Sequence, residues 1–444
     1  MMNALQQYID LYDAYRDTVE KASPAVMNRA RVEARRALSQ MALPVKGSED
    51  YEATDLNAIF ATDYGVNLNQ MRWQGELRFS CDVPNLSTNV YYVLNDTFVA
   101  GASAREQDGL TVETLAQAAL RHPDVLERCY GVLSHADSPT TALNTLLAQN
   151  GILIYVEAGY NAERPIQIVN VLNADMPLLA VRRVLVVAEP GSSVKVLVCD
   201  HTQNSSRNYL SSEVVEIVAR EGSTVDYYHM EESTPQTSRL SDLYVRQEAG
   251  SNVLVDGITL TNGTTRNNYY IDVAGEHAQT RLLGMAIAGG EQHVDSYTRI
   301  NHRAPRCKSD EMFKYVLTDR ATGAFAGKIL VQPDCPRVEA YQGNKNICGS
   351  KEAKMHTKPQ LEIYTDDVKC SHGATVGQLD EEALFYMQTR GVSHEQARRL
   401  LMQAFVSDVI AGVRLDVLRE RLYHLVERRL DGNDAMCADC RINK

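Results

Sequence analysis

The chain has 444 residues, a formal net charge of −12, and a composition that is 44% hydrophobic and 23% charged. This length favours two or three structural units, and the composition is typical of a folded globular protein and excludes wholesale disorder. Acidic residues outnumber basic ones, which argues against nucleic acid binding, and the N-terminus has no apolar run that would suit a signal peptide or a membrane span, so we expect a cytoplasmic protein.

Residues 1–149 are predicted to form a mixed N-terminal region that is largely helical. Between residues 3 and 41 apolar side chains recur at helical spacing, which predicts one or two helices. The composition then shifts to Gly, Asn, Asp and aromatic residues, and the alternating segment 76–81 predicts a short strand. Helical spacing returns in residues 112–149.

Residues 150–376 have a different pattern, in which short β-branched runs are separated by Gly, Asn or Asp. A turn motif recurs there around Gly191, Gly222, Gly250 and, more weakly, Gly275, at intervals of 25 to 31 residues. Glycine suits such turns because it reaches positive φ without a steric cost. A repeat of this length in an all-strand stretch is typical of a solenoid, whose coils turn at the same place and stack on one another.

A β-sandwich is the competing interpretation of the same stretch. Sandwiches have turns every 8 to 12 residues or so, but they need not repeat one turn motif at a long interval. We therefore favour the β-helix.

The C-terminal region, residues 377–444, is predicted to contain two or three helices. Ser393 and Gln396 have the spacing of a capping box at a helix start, and Gly391 suits the end of the preceding helix. Four leucines at intervals of three and four residues predict a seam that packs against another helix: Leu415, Leu418, Leu422 and Leu425.

Cys370 and His372 form the best candidate site. If residues 368–371 continue the strand pattern, the two side chains point to the same face with α-carbons about 6.6 Å apart. A thiolate and an imidazole so placed suit a soft metal or a sulfur species. Two ligands do not complete a zinc or iron–sulfur site. A buried thiol beside a surface histidine, or a cysteine nucleophile with its base, are therefore alternatives.

The remaining candidates are weaker. Four of them are spread through strand-rich sequence without metal-ligand spacing: His293, His302, Cys307 and Asp310. The nine cysteines do not form a disulfide framework, and the pair Cys437 and Cys440 lacks further ligands, so we interpret it as part of the tail. The chain has no phosphate-binding glycine motif, so we expect nucleotide hydrolysis to belong to a partner.

Five motifs in chain order resemble one known family. They are FKYVLTD from Phe313, GAFAGKI from Gly323, KPQLEIY from Lys358, DDVKCSHGAT from Asp366 and GQLD from Gly377. Together they are similar to the shared C-terminal signature of SufB and SufD, the scaffold proteins of iron–sulfur cluster assembly. Ser371, His372 and Gly373 stand where SufB has a Glu-His-Glu-Ala run, so the chain looks like the SufD side of the family.

The resemblance implies a mainly β protein, with a right-handed parallel β-helix between the helical regions, that acts as a non-catalytic scaffold. It implies a heterodimer with a SufB-like subunit through the last strands of the β-helix, with Cys370 and His372 at the interface as transient ligands of a nascent iron–sulfur cluster. A SufC-like ATPase is expected to dock on the C-terminal helices, and five residues there are the expected contacts: Phe385, Tyr386, Arg390, Leu401 and Phe405.

Several alternatives stay open at this stage. The chain would have a SufB-like function if it carried the nascent cluster itself. A β-helix enzyme acting on polysaccharide is a further alternative, which a single Trp and the absence of an export signal argue against. Whether a flavin (FAD) binds the complex, and whether the lone chain forms a homodimer, are not decided by the sequence.

Overall fold

The structure is a computed structural model that describes residues 4–70, 88–100, 107–134, 136–203 and 205–432. The strand predicted at residues 76–81 and the pair Cys437 and Cys440 lie outside these ranges, so both remain predictions. Within the described residues, no helix is long and apolar enough to cross a membrane.

The helices of the described ranges fall into an N-terminal and a C-terminal group. They are α1 (Gln6–Lys21), α2 (Ala25–Leu38), α3 (Leu56–Ile59), α4 (Leu115–Arg121), α5 (Pro123–Cys129), α6 (Pro139–Leu147), α7 (Glu381–Thr389), α8 (His394–Ala411) and α9 (Asp416–Leu430). The helices predicted near the N-terminus and in the C-terminal region are therefore confirmed.

The strands occupy most of the chain between the two helical groups. Four short strands come first: β1 (Gly65–Val66), β2 (Asn89–Leu94), β3 (Thr97–Ala100) and β4 (Leu110–Thr114). The next eight are β5 (Ile152–Val156), β6 (Ile166–Leu172), β7 (Leu178–Ala188), β8 (Ser193–Thr202), β9 (Tyr209–Ala219), β10 (Thr224–Glu232), β11 (Thr237–Gln247) and β12 (Asn252–Thr261). The last eight are β13 (Thr264–Val273), β14 (Gln279–Ala288), β15 (His293–His302), β16 (Lys308–Leu317), β17 (Thr322–Val331), β18 (Val338–Cys348), β19 (Lys354–Ile363) and β20 (Val368–Gly377).

From β5 onward each strand pairs in parallel with the strand two places later, so odd and even strands form two separate sheets. The chain alternates between the sheets and makes a β-solenoid of about eight turns. This parallel arrangement confirms the predicted β-helix and excludes the sandwich, whose strands are antiparallel.

The recurrent turn stacks as the glycine interval predicted. Gly191, Gly222 and Gly250 have φ values of 67°, 65° and 65°, and the amide of Gly222 donates 2.8 Å to the carbonyl of Ala249 in the next coil. The fourth turn differs, because His277 takes the positive φ there. Gly275 is needed for another reason: a β-carbon at this position would overlap the backbone of Ala249.

The C-terminal helices cover the outer face of the even-strand sheet. Helix α8 packs against apolar residues of β14 and β16, and α9 packs against those of β12 and β14. The four leucines of the predicted seam are all buried there, and Gly391 ends α7 with a φ of 86°. The Ser393 hydroxyl accepts a hydrogen bond from the backbone N–H of Gln396 at 3.2 Å, which is the first half of the predicted capping box.

Candidate functional site at the open end of the solenoid

The last coil leaves the solenoid open at one end. Strands β19 and β20 are the outermost strands of the odd and the even sheet, and within the described ranges no further strand pairs with either of them. Residues 371–377 of β20 are exposed, because β20 is covered only along the edge where it pairs with β18 of the previous coil. An edge strand of this kind carries backbone N–H and C=O groups that can pair with another chain.

Cys370 and His372 both lie on β20 and share one face of it, as predicted from their spacing. Val368 and Cys370 pack against the core inside the solenoid, so this is the inner face. His372 is exposed, because β20 belongs to the last coil and no further coil of the described residues packs over it. Burial raises the pKa of the Cys370 thiol, so the group is protonated at neutral pH and is not a ready nucleophile in the lone chain.

A polar side chain that the sequence did not single out lies directly behind this pair. Gln342 on β18 is the in-register neighbour of His372 and is buried. Its amide nitrogen donates 2.9 Å to Oε2 of Glu311, while the hydroxyl of Thr298 donates 2.6 Å to Oε1. Burial raises the pKa of Glu311 to about 7.

Alternation in the sequence contained a signal for Glu311. It has the same parity as Phe313 and Tyr315, which are core residues of the same strand, so a strand over these residues places Glu311 inside. Charged residues are rarely buried unless they are paired. An acid at an inward position is therefore unusual, and this pattern indicates Glu311 as a candidate functional residue.

A second buried polar cluster lies deeper in the solenoid. The ligand atoms of Asp200, Glu213 and His229 are within 4.8 Å of one another. Arg239 and Arg182, however, donate to the two oxygens of Asp200 at 2.8 and 2.9 Å. Burial alone would raise the pKa of Asp200, but His229 and these two guanidinium groups hold it well below its usual range. We interpret the cluster as a structural ion-pair network, because two cations already occupy the carboxylate that a metal would need.

The residues predicted to contact an ATPase fall into two sets. Phe385 and Tyr386 on α7 are 68% and 58% exposed, and Arg390 lies over the Tyr386 ring and donates 3.0 Å to its hydroxyl. Leu401 and Phe405 are half-buried on the side of α8 that faces the solenoid. The exposed patch on α7 is therefore formed by the first set.

The weaker histidine and cysteine candidates do not meet in a common site. His293 is hydrogen-bonded to Thr54 at 2.9 Å, and burial lowers the pKa of His302 to about 4. Cys307 is buried and donates to the carbonyl of Gly275 at 3.1 Å. Asp310 lies 3.6 Å from Arg281. Each of these side chains has a local structural partner.

The fold and the open terminal coil define the class: a parallel β-solenoid protein with helical flanks and a pair of candidate ligands at its uncovered end. The chain belongs to the SufBD family. The model of the SufBD core domain of SUF-system FeS cluster assembly matches residues 170–405, and the model of the SufBD protein N-terminal region matches residues 2–168. The motifs that resemble the family begin only at Phe313, so the second match extends the family to the N-terminal part of the chain.

Three curated relatives carry related names. The chain is 25% identical to an iron–sulfur cluster assembly SufBD family protein of Synechocystis over 404 residues, which cover 88% of each chain. It is 32% identical to the iron–sulfur cluster assembly protein SufD of Escherichia coli over 39% of this chain and 41% of that one. Identity to SufD of Bacillus subtilis is 25%, over 80% of this chain and 82% of that one.

Proposed function

We propose that the chain is a non-catalytic scaffold subunit of SUF iron–sulfur cluster assembly. The observation that carries the proposal is the uncovered last coil, which presents Cys370 and His372 on a protein of the SufBD family. Two ligands on one strand face leave a cluster incomplete, since such centres take four. The missing ligands must then come from whatever covers the end.

The covering partner that we propose is a SufB-like subunit. Strands β19 and β20 each offer ten residues of edge backbone, and a second solenoid of the same kind would continue both sheets by pairing with them. This contact would bury His372 and stack the two terminal coils end to end, so that their inner faces line one continuous interior. The iron–sulfur cluster is cargo in this arrangement, assembled at the interface and passed on.

Metal binding at the pair would require a change at Cys370. A thiol must lose its proton to become a ligand, and burial makes this loss unfavourable in the lone chain. A metal ion supplies the positive charge that reverses the preference. The pair therefore suits a transient site that is filled only when iron and a partner are present.

The exposed patch of Phe385 and Tyr386 is the docking surface that we propose for a SufC-like ATPase. Large aromatic side chains are enriched at protein interfaces, because each buries much area at a small cost in conformational entropy. Three residues separate the end of β20 from the start of helix α7. A force applied to α7 would therefore act close to the terminal coil.

The central test is the substitution His372→Ala in the chain co-purified with SufB-like and SufC-like partners. We expect cluster formation, followed by visible absorption after addition of iron, a sulfur source and ATP, to fall roughly tenfold or more, while the subunits still co-purify. The matched control is His356→Ala, because His356 is an exposed histidine on the neighbouring edge strand β19.

A normal cluster yield in the His372→Ala variant would refute the site. Reconstitution of the lone chain with iron and sulfide separates the proposal from a SufB-like function. A stable, stoichiometric cluster on the lone chain would show that it carries the cluster by itself, whereas the scaffold proposal expects none.

A further inference from the structure

Three polar side chains lie inside the last closed coils of the solenoid, where most of the core is apolar. Thr298, Glu311 and Gln342 are 0%, 1% and 3% exposed. They come from β15, β16 and β18, so they cross from one sheet to the other and advance toward the open end. Buried polar groups are costly unless they are bonded, so their alignment needs a reason.

The hydrogen bonds give this row a direction. Glu311 accepts from Thr298 at 2.6 Å with one oxygen and from the Gln342 amide nitrogen at 2.9 Å with the other. In its ionised form, above its pKa of about 7, the Glu311 carboxylate can only accept, so it holds the donor end of the amide and turns the oxygen away. That oxygen, Oε1 of Gln342, is shielded from solvent and has no hydrogen-bond partner in the described part of the chain.

A glycine on the opposite sheet makes room for the amide. A β-carbon at Gly327 would overlap the Gln342 amide nitrogen and would also lie 2.6 Å from the Phe325 ring. The Gln342 side chain therefore reaches across the interior instead of lying along its own sheet. Its free oxygen is held in the interior by packing as well as by Glu311.

The next residue along this row is His372. It is the direct neighbour of Gln342 in the β18–β20 register, and adjacent strands are about 4.8 Å apart. Both side chains face inward, since Cys370 on the same face of β20 packs against the core. His372 is thus the residue of β20 that lies in register with the side chain carrying the unbonded amide oxygen.

We propose that Gln342, held by Glu311, is a positioning residue for His372: when a partner covers the open end, the amide oxygen that is unbonded in the lone chain accepts one imidazole N–H and so presents the other ring nitrogen at the interface. The inference rests on the proposed role of His372 and deepens it. A histidine that binds a metal through one nitrogen commonly donates the other N–H to a fixed acceptor, which sets both tautomer and ring orientation. Asparagine or glutamine side chains would otherwise be free to rotate by half a turn, and the Glu311 carboxylate prevents this here.

The test is Gln342→Met, which keeps the length of the side chain and removes the acceptor. The full chain, bound to its SufB-like partner, is labelled with ¹⁵N-histidine, and His372 is assigned by the loss of its signals in the His372→Ala variant. We expect one tautomer of His372 in the unmodified chain and a mixture in Gln342→Met. Cluster formation should fall about tenfold, with assembly of the subunits unchanged.

The matched control is Asn344→Leu. Asn344 is a fully buried amide on the same face of β18, but its neighbour in the last coil is Ala374. If the loss of any buried amide altered the His372 tautomer, both variants would show a mixture. The proposal expects His372 to keep its single tautomer in Asn344→Leu.

The outcomes separate this inference from the proposed function. An unchanged tautomer in Gln342→Met would overturn the positioning role, even if His372→Ala abolished cluster formation. If Gln342→Met does not fold, Glu311→Met serves in its place: without an acceptor at position 311 the Gln342 amide can rotate, and a single tautomer in that variant would equally refute the role. Normal cluster formation in His372→Ala would instead refute the proposed function and leave the tautomer result standing.

Discussion

At the scale of single residues, Asp256 is an acid whose burial is costly. It is fully buried beneath the C-terminal helices, and neither carboxylate oxygen has a hydrogen-bond partner within the described ranges. Burial raises its pKa to about 7, although Arg281 acts in the opposite direction. The folded state therefore holds a proton at Asp256 that the unfolded chain releases near its ordinary pKa of 3.8.

This pKa shift predicts that the protein loses stability as the pH rises. For an acid with a raised pKa, the stabilisation is complete below the unfolded pKa and is lost as the pH rises through the folded value of about 7. We expect Asp256→Asn to reduce the fall in unfolding free energy between about pH 5 and pH 8 by about 2 to 3 kcal/mol. Urea denaturation of both proteins at both pH values measures this fall in unfolding free energy. The same fall in Asp256→Asn as in the unmodified chain would contradict the prediction. Glu311, whose pKa is also raised to about 7, contributes a pH dependence of the same sign.

The pair at the open end shows what residue patterns predicted and what they did not. Alternation along a strand was enough to place Cys370 and His372 on one face, because the two-residue period is a property of the strand itself. The contact of Gln342 with Glu311 depends on which strand lies one coil away. That register is fixed by coil lengths that differ from turn to turn, and the sequence alone did not supply it.

At the scale of elements, the stacked turns depend on backbone conformation more than on contacts. Gly222 has a φ of 65°, and a β-carbon there would meet nothing closer than 3.9 Å. Space is therefore available, and only the left-handed conformation opposes a side chain. The non-glycine residues His277, Arg306 and Arg337 adopt similar φ values of 61°, 58° and 60° in later turns, so the strain is tolerable where other contacts compensate.

We predict that Gly222→Ala lowers the unfolding free energy by about 1 to 2 kcal/mol. The control is Gly343→Ala on β18, where φ is ordinary and the nearest atom lies 3.7 Å from the added β-carbon. Alanine at that position should be neutral or slightly stabilising, because it restricts the unfolded chain. Equal effects of the two substitutions in chemical denaturation would argue against the conformational explanation.

The exposed patch on α7 gives a prediction about partner binding. Replacing Phe385 and Tyr386 together by alanine should weaken binding of a SufC-like ATPase at least tenfold, because aromatic anchors supply much of the energy of an interface. Leu120→Ala is the control, since Leu120 is 85% exposed on α4 in the N-terminal region. The comparison is made by titration calorimetry with the purified ATPase. Unchanged affinity in the double variant would exclude the patch as the docking surface.

At the scale of the whole molecule, the glycine interval predicted the solenoid, and residue periodicity predicted the helices on both sides of it. Both features are repetitive, so a single sequence shows them. How the N-terminal helices lie on the solenoid was not predictable, since it depends on non-repeating contacts such as the fully buried Arg31, which donates 3.1 Å to the carbonyl of Leu146. The family match over residues 2–168 agrees that this region is an integral part of the fold.

The two ends of the solenoid are unequal, and this limits how many molecules can join. At the first coil, as far as the described residues show, the sheets finish in the short antiparallel strands β3 and β4, of four and five residues, which are poor templates for further pairing. At the last coil two ten-residue strands are available. A body with one reactive terminus can couple only once, so the end-to-end contact proposed above would give a closed pair of subunits and would not grow into a fibre.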